Sequence, residues 1–174
     1  GLGYATDTGV RGRFEWRNRL LNRKGHRLRF GAQASELDNN VGLNYEVPWR
    51  NPTTDKMLYN ISYHDQVWDD TDTRLFTLGM QLEHRGEVIR HSGSFEIRDE
   101  RYSVGATSGD SLLFMPSYTG TLVWADDLFD TRYGLELSLS VSGASEALGS
   151  DASFLKGVVG GKFIYPFIPG WRLI

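Results

Sequence analysis

The sequence predicts an all-β chain: an antiparallel, up-and-down transmembrane β-barrel of about ten strands and a stub, so a partial barrel. Three observations predict it. Apolar and polar residues alternate with period two along almost the whole chain. Most alternating runs last roughly 8 to 12 residues, close to the 9–11 that cross a bilayer and longer than the 5 or 6 usual in soluble strands. The face opposite the apolar one carries Arg, Lys, Glu and Gln, as a hydrated barrel interior does.

The alternation starts early. Val10, Gly12, Phe14 and Trp16 alternate with Arg11, Arg13, Glu15 and Arg17. A helix would scatter these arginines around its circumference, whereas a strand collects them on one face. The turn signal Asn22-Arg23-Lys24-Gly25 follows. Leu28, Phe30, Ala32 and Ala34 then alternate with Arg27, Arg29, Gly31 and Gln33. Past Leu37-Asp38-Asn39-Asn40, Val41, Leu43, Tyr45, Val47 and Trp49 oppose Gly42, Asn44 and Glu46. Further faces are Met57/Tyr59/Ile61/Tyr63, Phe76/Leu78/Met80/Leu82, Ile89/Gly93/Phe95/Ile97 and Leu112/Phe114/Tyr118/Leu122. Tyr133/Leu135/Leu137/Leu139/Val141 and Leu155/Val159/Phe163/Tyr165 complete the set. A short strand at about 1–6 precedes them, and another begins at Arg172. No segment reads as a helix, and no linker divides residues 1–174.

Bulk numbers bound the function. The net charge is −3, which points neither to nucleic acid nor to acidic disorder. Mean hydropathy is −0.39, and no window approaches the roughly 18 apolar residues of a membrane helix. Hydropathy alone suggests a soluble chain, but a membrane strand shows lipid only alternate residues. The chain has no Cys, which excludes a disulfide framework, a thiolate nucleophile and a Cys-based metal site. Its 20 Gly, 5 Trp, 8 Tyr and 9 Phe suit β-structure with tight turns.

Aromatic positions give an independent test. If the first strand runs toward the cell surface, alternate turns near 20–26, 50–56, 84–87, 125–130 and 167–171 face the periplasm. Trp16, Trp49, Trp124, Phe129, Tyr165, Phe167 and Trp171 fall near them, as an interfacial girdle would. The other connections, near 65–73, 99–110 and 143–152, read as longer outer loops rich in Asp, Ser, Gly and Thr.

Catalytic signals are weak. Gly109-Asp110-Ser111-Leu112 spells a serine-hydrolase signature, but no His follows position 91 to serve as base. Asp65, Asp69, Asp70 and Asp72 surround Trp68 without the Gly and Glu spacing of a calcium loop. The four His residues show no close pair at zinc spacing. Eight basic residues between Arg11 and Arg29 could suggest a nucleic-acid stripe. The interleaved aromatics lie on the other face, so bases could not stack beside the charges. Ion pairs with Glu15, Glu36 and Glu46 on neighbouring strands are the simpler reading. No enzyme, cofactor or metal is expected, and no nucleic-acid partner.

The opening stretch adds more than a pattern. Gly1-Leu2-Gly3-Tyr4-Ala5-Thr6-Asp7-Thr8-Gly9, followed by Arg11, Trp16, Asn22, Gly25 and His26, resembles the start of the barrel in the TamA/BamA outer-membrane assembly (bacterial surface antigen) family, on its TamA side. There a Gly-x-Gly-Tyr-Ser-Thr-Asp-x-Gly stretch forms the first strand and outer turn, and an Asn-x-x-Gly-His turn follows the second strand. Ala5 departs from the usual Ser. The resemblance is specific over residues 1–26 and rests on strand rhythm beyond them.

The resemblance implies a bacterial outer-membrane location and a 16-stranded barrel preceded by periplasmic POTRA domains. The implied activity is insertion of other outer-membrane proteins, including autotransporters, by strand templating at a lateral gate. Implied partners are outer-membrane lipid, client outer-membrane proteins and a TamB-like inner-membrane protein reached through the POTRA domains. Gly1, Leu2, Gly3, Tyr4, Ala5 and Thr6 would form the gate strand. Trp16, Trp49, Trp124, Tyr165 and Trp171 would form the girdle, and Arg11, Arg13, Glu15, Arg27, Arg29 and Glu46 would line the lumen. The chain begins at Gly1 and ends at Arg172-Leu173-Ile174, so POTRA domains, an inward loop with Arg-Gly-Tyr/Phe and the C-terminal strands are expected to lie outside it. Two rivals stay open: a translocator barrel or the membrane anchor of a secretion or patatin-like protein, and a soluble β-sandwich or lipocalin-like binding module with its apolar face inward.

Overall fold

The structure is a computed structural model that describes residues 1–5, 9–127, 131–168 and 171–173. Eleven strands form one antiparallel sheet in simple sequence order. They are β1 (Leu2–Ala5), β2 (Gly9–Asn18), β3 (Arg27–Ala34), β4 (Asp38–Pro48), β5 (Asp55–Trp68), β6 (Thr71–Arg85), β7 (Ile89–Val104), β8 (Thr107–Ala125), β9 (Gly134–Ala144), β10 (Phe154–Ile168) and β11 (Trp171–Leu173). This is the up-and-down architecture the period-two pattern predicts, ten strands and a stub. Among the described residues no second sheet packs on it, which speaks against the β-sandwich rival.

Register explains why the alternation is so regular. Trp16, Phe30, Leu43, Ile61, Leu78, Ile97 and Phe114 are successive partners across β2 to β8. Partners in an antiparallel ladder share a face, so every member of this row points the same way. The polar residues between them form the other face. Among the described residues Ala144 is the only buried apolar one. A soluble chain of this length would bury a core; here the apolar side chains stand outward, with Leu78 44 % and Leu137 46 % exposed.

The turns show how local chemistry closes each hairpin. After β2, the Asn22 side-chain oxygen accepts from the Lys24 and His26 backbone N–H groups at 3.0 and 3.3 Å. Gly25 takes φ +79°, a left-handed conformation suited to glycine. The Asn-x-x-Gly-His motif is thus an Asx-type turn. It also places His26 Nδ1 2.5 Å from the Tyr45 hydroxyl on β4.

The expected long outer loops are a partial misreading. The segments 65–73 and 99–110 are strand: β5 to β8 run 14, 15, 16 and 19 residues. They close through Asp69-Asp70 and Gly105-Ala106, and the Gly105 N–H donates to the Asp70 carbonyl at 2.9 Å, tying the two tips together. Among the described residues the 145–153 connection is the long loop on that side, and it includes a 3-10 turn at Glu146–Leu148. That loop has a job. β8 extends past the end of β9, and Ser150 and Asp151 cover the exposed ladder, accepting from Phe114 N–H at 2.9 Å and Leu112 N–H at 2.5 Å.

Candidate functional site

Three surfaces carry the residues singled out from the sequence: the β1 edge, the polar face and the apolar face.

The β1 edge comes first in the sheet, so among the described residues its far side pairs with no strand. β1 meets only β2, through Leu2–Gly12, Gly3–Arg11, Tyr4–Val10 and Ala5–Gly9. Gly1 and Arg13 exchange both backbone hydrogen bonds, at 2.6 and 2.8 Å. Antiparallel ladders alternate bonded and non-bonded pairs. Gly3 therefore bonds inward to Arg11, while the N–H and C=O groups of Leu2 and Tyr4 point to the open edge. Their side chains are 92 % and 72 % exposed. Thr6 lies outside the described residues, and Ala5 is placed through its backbone alone.

On the polar face, Arg27 reaches Glu46 at 3.1 Å, and Lys56 reaches the same carboxylate at 3.4 Å. Glu15 lies 2.5 Å from Arg17 and 4.0 Å from Arg29. Arg11 and Arg13 have no ion-pair partner among the described residues. Glu36 does not join the arginines; its carboxyl packs against Gly9. Further along, Ser94 and Ser117 hydroxyls lie 2.5 Å apart, and Thr119 and Ser140 3.0 Å apart. This face is polar from β2 to β10.

The apolar face has sharp limits. On β5 it shows Met57, Tyr59, Ile61 and Tyr63, bounded by Asp55 and Asp65. Asp65, Arg74, Arg101 and Asp110 are register partners across β5 to β8 and form a charged upper row. Asp55, His84 and His91 form the lower limit on β5 to β7. Neither row is visible in the sequence, because its members come from separate strands.

The band also crosses the strands obliquely. Its centre on β2, at Arg13, leads through Gln33, Asn40, His64, Leu75 and Glu100 to Ser111 on β8. Its centre on β10, at Gly160, leads through Ser138 to Thr121 on the same strand. The two arrive ten residues apart. Over eight inter-strand steps of about 4.8 Å, ten residues of about 3.3 Å correspond to strands tilted by about 40° from the normal to the band. The ten residues from Asp55 to Asp65 then span about 25 Å of its height, and outer-membrane barrels carry an outward apolar band of about that height.

Four of the aromatic residues singled out from the sequence sit at the lower end of this band. Trp16 and Trp124 lie near the lower ends of β2 and β8, Trp49 follows β4, and Tyr165 lies low on β10; all four are exposed. Tyr133, which the sequence reading did not group with these residues, packs edge-on to Tyr165 at 5.6 Å. The side chains of Trp171 and Phe167, and all of Phe129, lie outside the described residues. At the turn beside Tyr133, Asp126 accepts from the backbone N–H groups of Tyr133 and Arg132 at 3.0 and 2.9 Å. The Tyr133 bond leads in holding its carboxyl below the ordinary carboxylate value.

The enzyme-like motif dissolves in this setting. Gly109-Asp110-Ser111-Leu112 lies inside β8, fully paired with β7, instead of at a loop-to-strand junction. In the acidic cluster, Arg74 stands 3.6 Å from Asp65 and 3.8 Å from Asp72.

No family profile and no curated protein matches the chain. Among solved structures, it is similar to BamA from Haemophilus ducreyi lacking POTRA domains 1–3, with a TM-score of 0.69 and 13 % identity. The chain folds like part of a BamA barrel. The match covers 96 % of this chain and 37 % of that one, so the chain spans well under half the length of its neighbour. The similarity supports a BamA/TamA-like fold and does not single out the TamA side.

Proposed function

We propose that this chain is the N-terminal part of a bacterial outer-membrane barrel that assembles other outer-membrane proteins, with β1 as one lip of a lateral gate. The observation that carries the reading is the BamA-like fold of the sheet, in which β1 is a short first strand joined to β2 by only four register pairs. The N–H and C=O groups of Leu2 and Tyr4 face away from β2, the side on which an incoming strand would pair by β-augmentation. The tilted, exposed 25 Å band supports the membrane setting. Under this reading the apolar face meets lipid, and Arg11, Arg13, Glu15, Arg27, Arg29 and Glu46 line a hydrated lumen. Trp16, Trp49, Trp124, Tyr165 and Trp171 mark the periplasmic interface. The closer TamA assignment, with a TamB-like partner and autotransporter clients, rests on the Gly1–His26 resemblance.

The alternation of the β1 ladder supplies the test. Proline at Tyr4 removes an N–H that faces the open edge and leaves the β2 ladder intact; proline at Gly3 removes a ladder bond. In the full-length protein reconstituted in vesicles, Tyr4→Pro is expected to abolish client insertion while the barrel keeps its heat-dependent gel mobility. Undiminished insertion by that variant would overturn the gate assignment. A translocator or anchor would lose nothing from Tyr4→Pro.

A further inference from the structure

The lower limit of the apolar face contains a polar notch. Asp55, His84 and His91 stand side by side there, with His84 Nδ1 2.6 Å from Asp55 Oδ1. The His84 and His91 rings are 5.2 Å apart, and His91 lies 6.2 Å from Tyr118. The Arg50 guanidinium stacks on Trp49 at 4.8 Å on the same rim. One register row further into the band a side chain is missing. Gly93 sits between Leu82 and Tyr118, and nothing lies within 4 Å of where its Cβ would stand. The result is a groove of about 510 Å³ with an apolar floor and a polar mouth.

We propose that this groove binds one phospholipid with a phosphoethanolamine headgroup, its phosphodiester at Arg50 and His91 and one acyl chain along Gly93. The proposal rests on the membrane setting argued above. Charge and hydrogen bonding select the headgroup. The Asp55 Oδ1 engages His84, and its Oδ2 accepts from Asn51 N–H and the Thr54 hydroxyl, each at 3.2 Å. The Asp55 carboxylate is the acidic group of the notch, and its negative charge is what the ammonium of the headgroup would meet. Arg50 supplies planar donors suited to a phosphodiester. Asp55 balances Arg50, and Glu83 pairs with Arg85, so the rim carries no net positive charge to favour an anionic lipid.

The test uses the full-length protein in nanodiscs of equimolar phosphatidylethanolamine, phosphatidylcholine and phosphatidylglycerol, with retained lipids read by native mass spectrometry. Phosphatidylethanolamine is expected to be enriched about tenfold over both others, the factor one charge-assisted hydrogen bond supplies. Arg50→Ala and Gly93→Leu should each bring the enrichment to parity, with heat-dependent gel mobility confirming that both variants fold. Equal retention of the three lipids by the unaltered protein overturns the proposal, as does enrichment that survives both substitutions. Tryptophan quenching by brominated acyl chains separates the two readings: quenching without enrichment sinks only the lipid site, and no quenching sinks the membrane setting with it.

Discussion

The Arg27 guanidinium on β3 lies 3.1 Å from the Glu46 carboxylate on β4, and this carboxylate is shared with Lys56 of β5 at 3.4 Å. The triad joins three neighbouring strands on the polar face. Its energetic weight depends on what that face meets. Ion pairs bathed in water are worth about 0–1 kcal/mol, whereas breaking a dry one costs about 3–5 kcal/mol. In a hydrated lumen, Glu46→Gln is expected to lower stability by less than about 1 kcal/mol, with the loss shrinking at high salt. Urea unfolding at two ionic strengths measures it. A salt-independent loss several times larger would mean that the face is sealed from water.

Leu78 lies in the middle of the apolar band, 44 % exposed. Leu78→Arg is expected to destabilise the vesicle-folded barrel by about 2–4 kcal/mol, and Tyr165→Arg, near the lower rim, by about 0–1 kcal/mol. Equilibrium unfolding from vesicles gives both values. Equal costs at the two depths would argue against a membrane-crossing band.

Gly143 and Gly157 are both strand glycines, yet their surroundings differ. A Cβ at Gly143 would meet the Phe154 carbonyl oxygen at 2.5 Å, while nothing lies within 4 Å of one at Gly157. Gly143→Ala must push β9 from β10 and is expected to cost about 1–3 kcal/mol. Gly157→Ala should be neutral or stabilising by up to about 1 kcal/mol, because it restricts the unfolded chain. Denaturation midpoints of the two variants decide; the reverse order would show the β9–β10 register to be wrong.

Asp126 sets a pH dependence. Its folded carboxyl titrates below the ordinary value because Tyr133 and Arg132 N–H groups donate to the ionised form. A depressed pKa adds stability above the unfolded value of about 3.9, and this is lost as pH falls through the folded value. The stability difference between the native chain and Asp126→Asn should therefore narrow as pH drops from 7 to below 4. Unfolding midpoints across that range measure it, and a constant difference would rule the linkage out.

Much of the fold is legible in the residues because a strand exposes its faces by parity. Val10/Phe14/Trp16 against Arg11/Arg13/Glu15 needs no partner strand to be read, and the Asn22–His26 motif announces its turn by its own hydrogen bonds. The extent of β5 to β8 is less legible. Beyond Tyr63 and Phe76 the apolar face turns charged, at Asp65 and Arg74, so alternation fades although the backbone ladder continues to Trp68–Thr71. Composition there resembles a loop, and only pairing reveals a strand. The Tyr133–Tyr165 contact is not legible in the sequence, because the two residues are 32 positions apart and meet only in the sheet.

By itself, the sequence determined the strand identity of the alternating segments, which of their residues share a face, and the chemistry of the tight turn at Asn22. These are local properties, set by backbone alternation and side-chain-to-backbone bonds. Tertiary structure alone decided the register between strands, and with it everything that depends on residues far apart in the chain. The oblique apolar band, its charged rims, the Asp55–His84–His91 row and the direction of the Leu2 and Tyr4 backbone groups, away from β2, belong to this second class. Register is fixed by hydrogen bonds between strands, and many registers satisfy the same alternation; the folded sheet selects one.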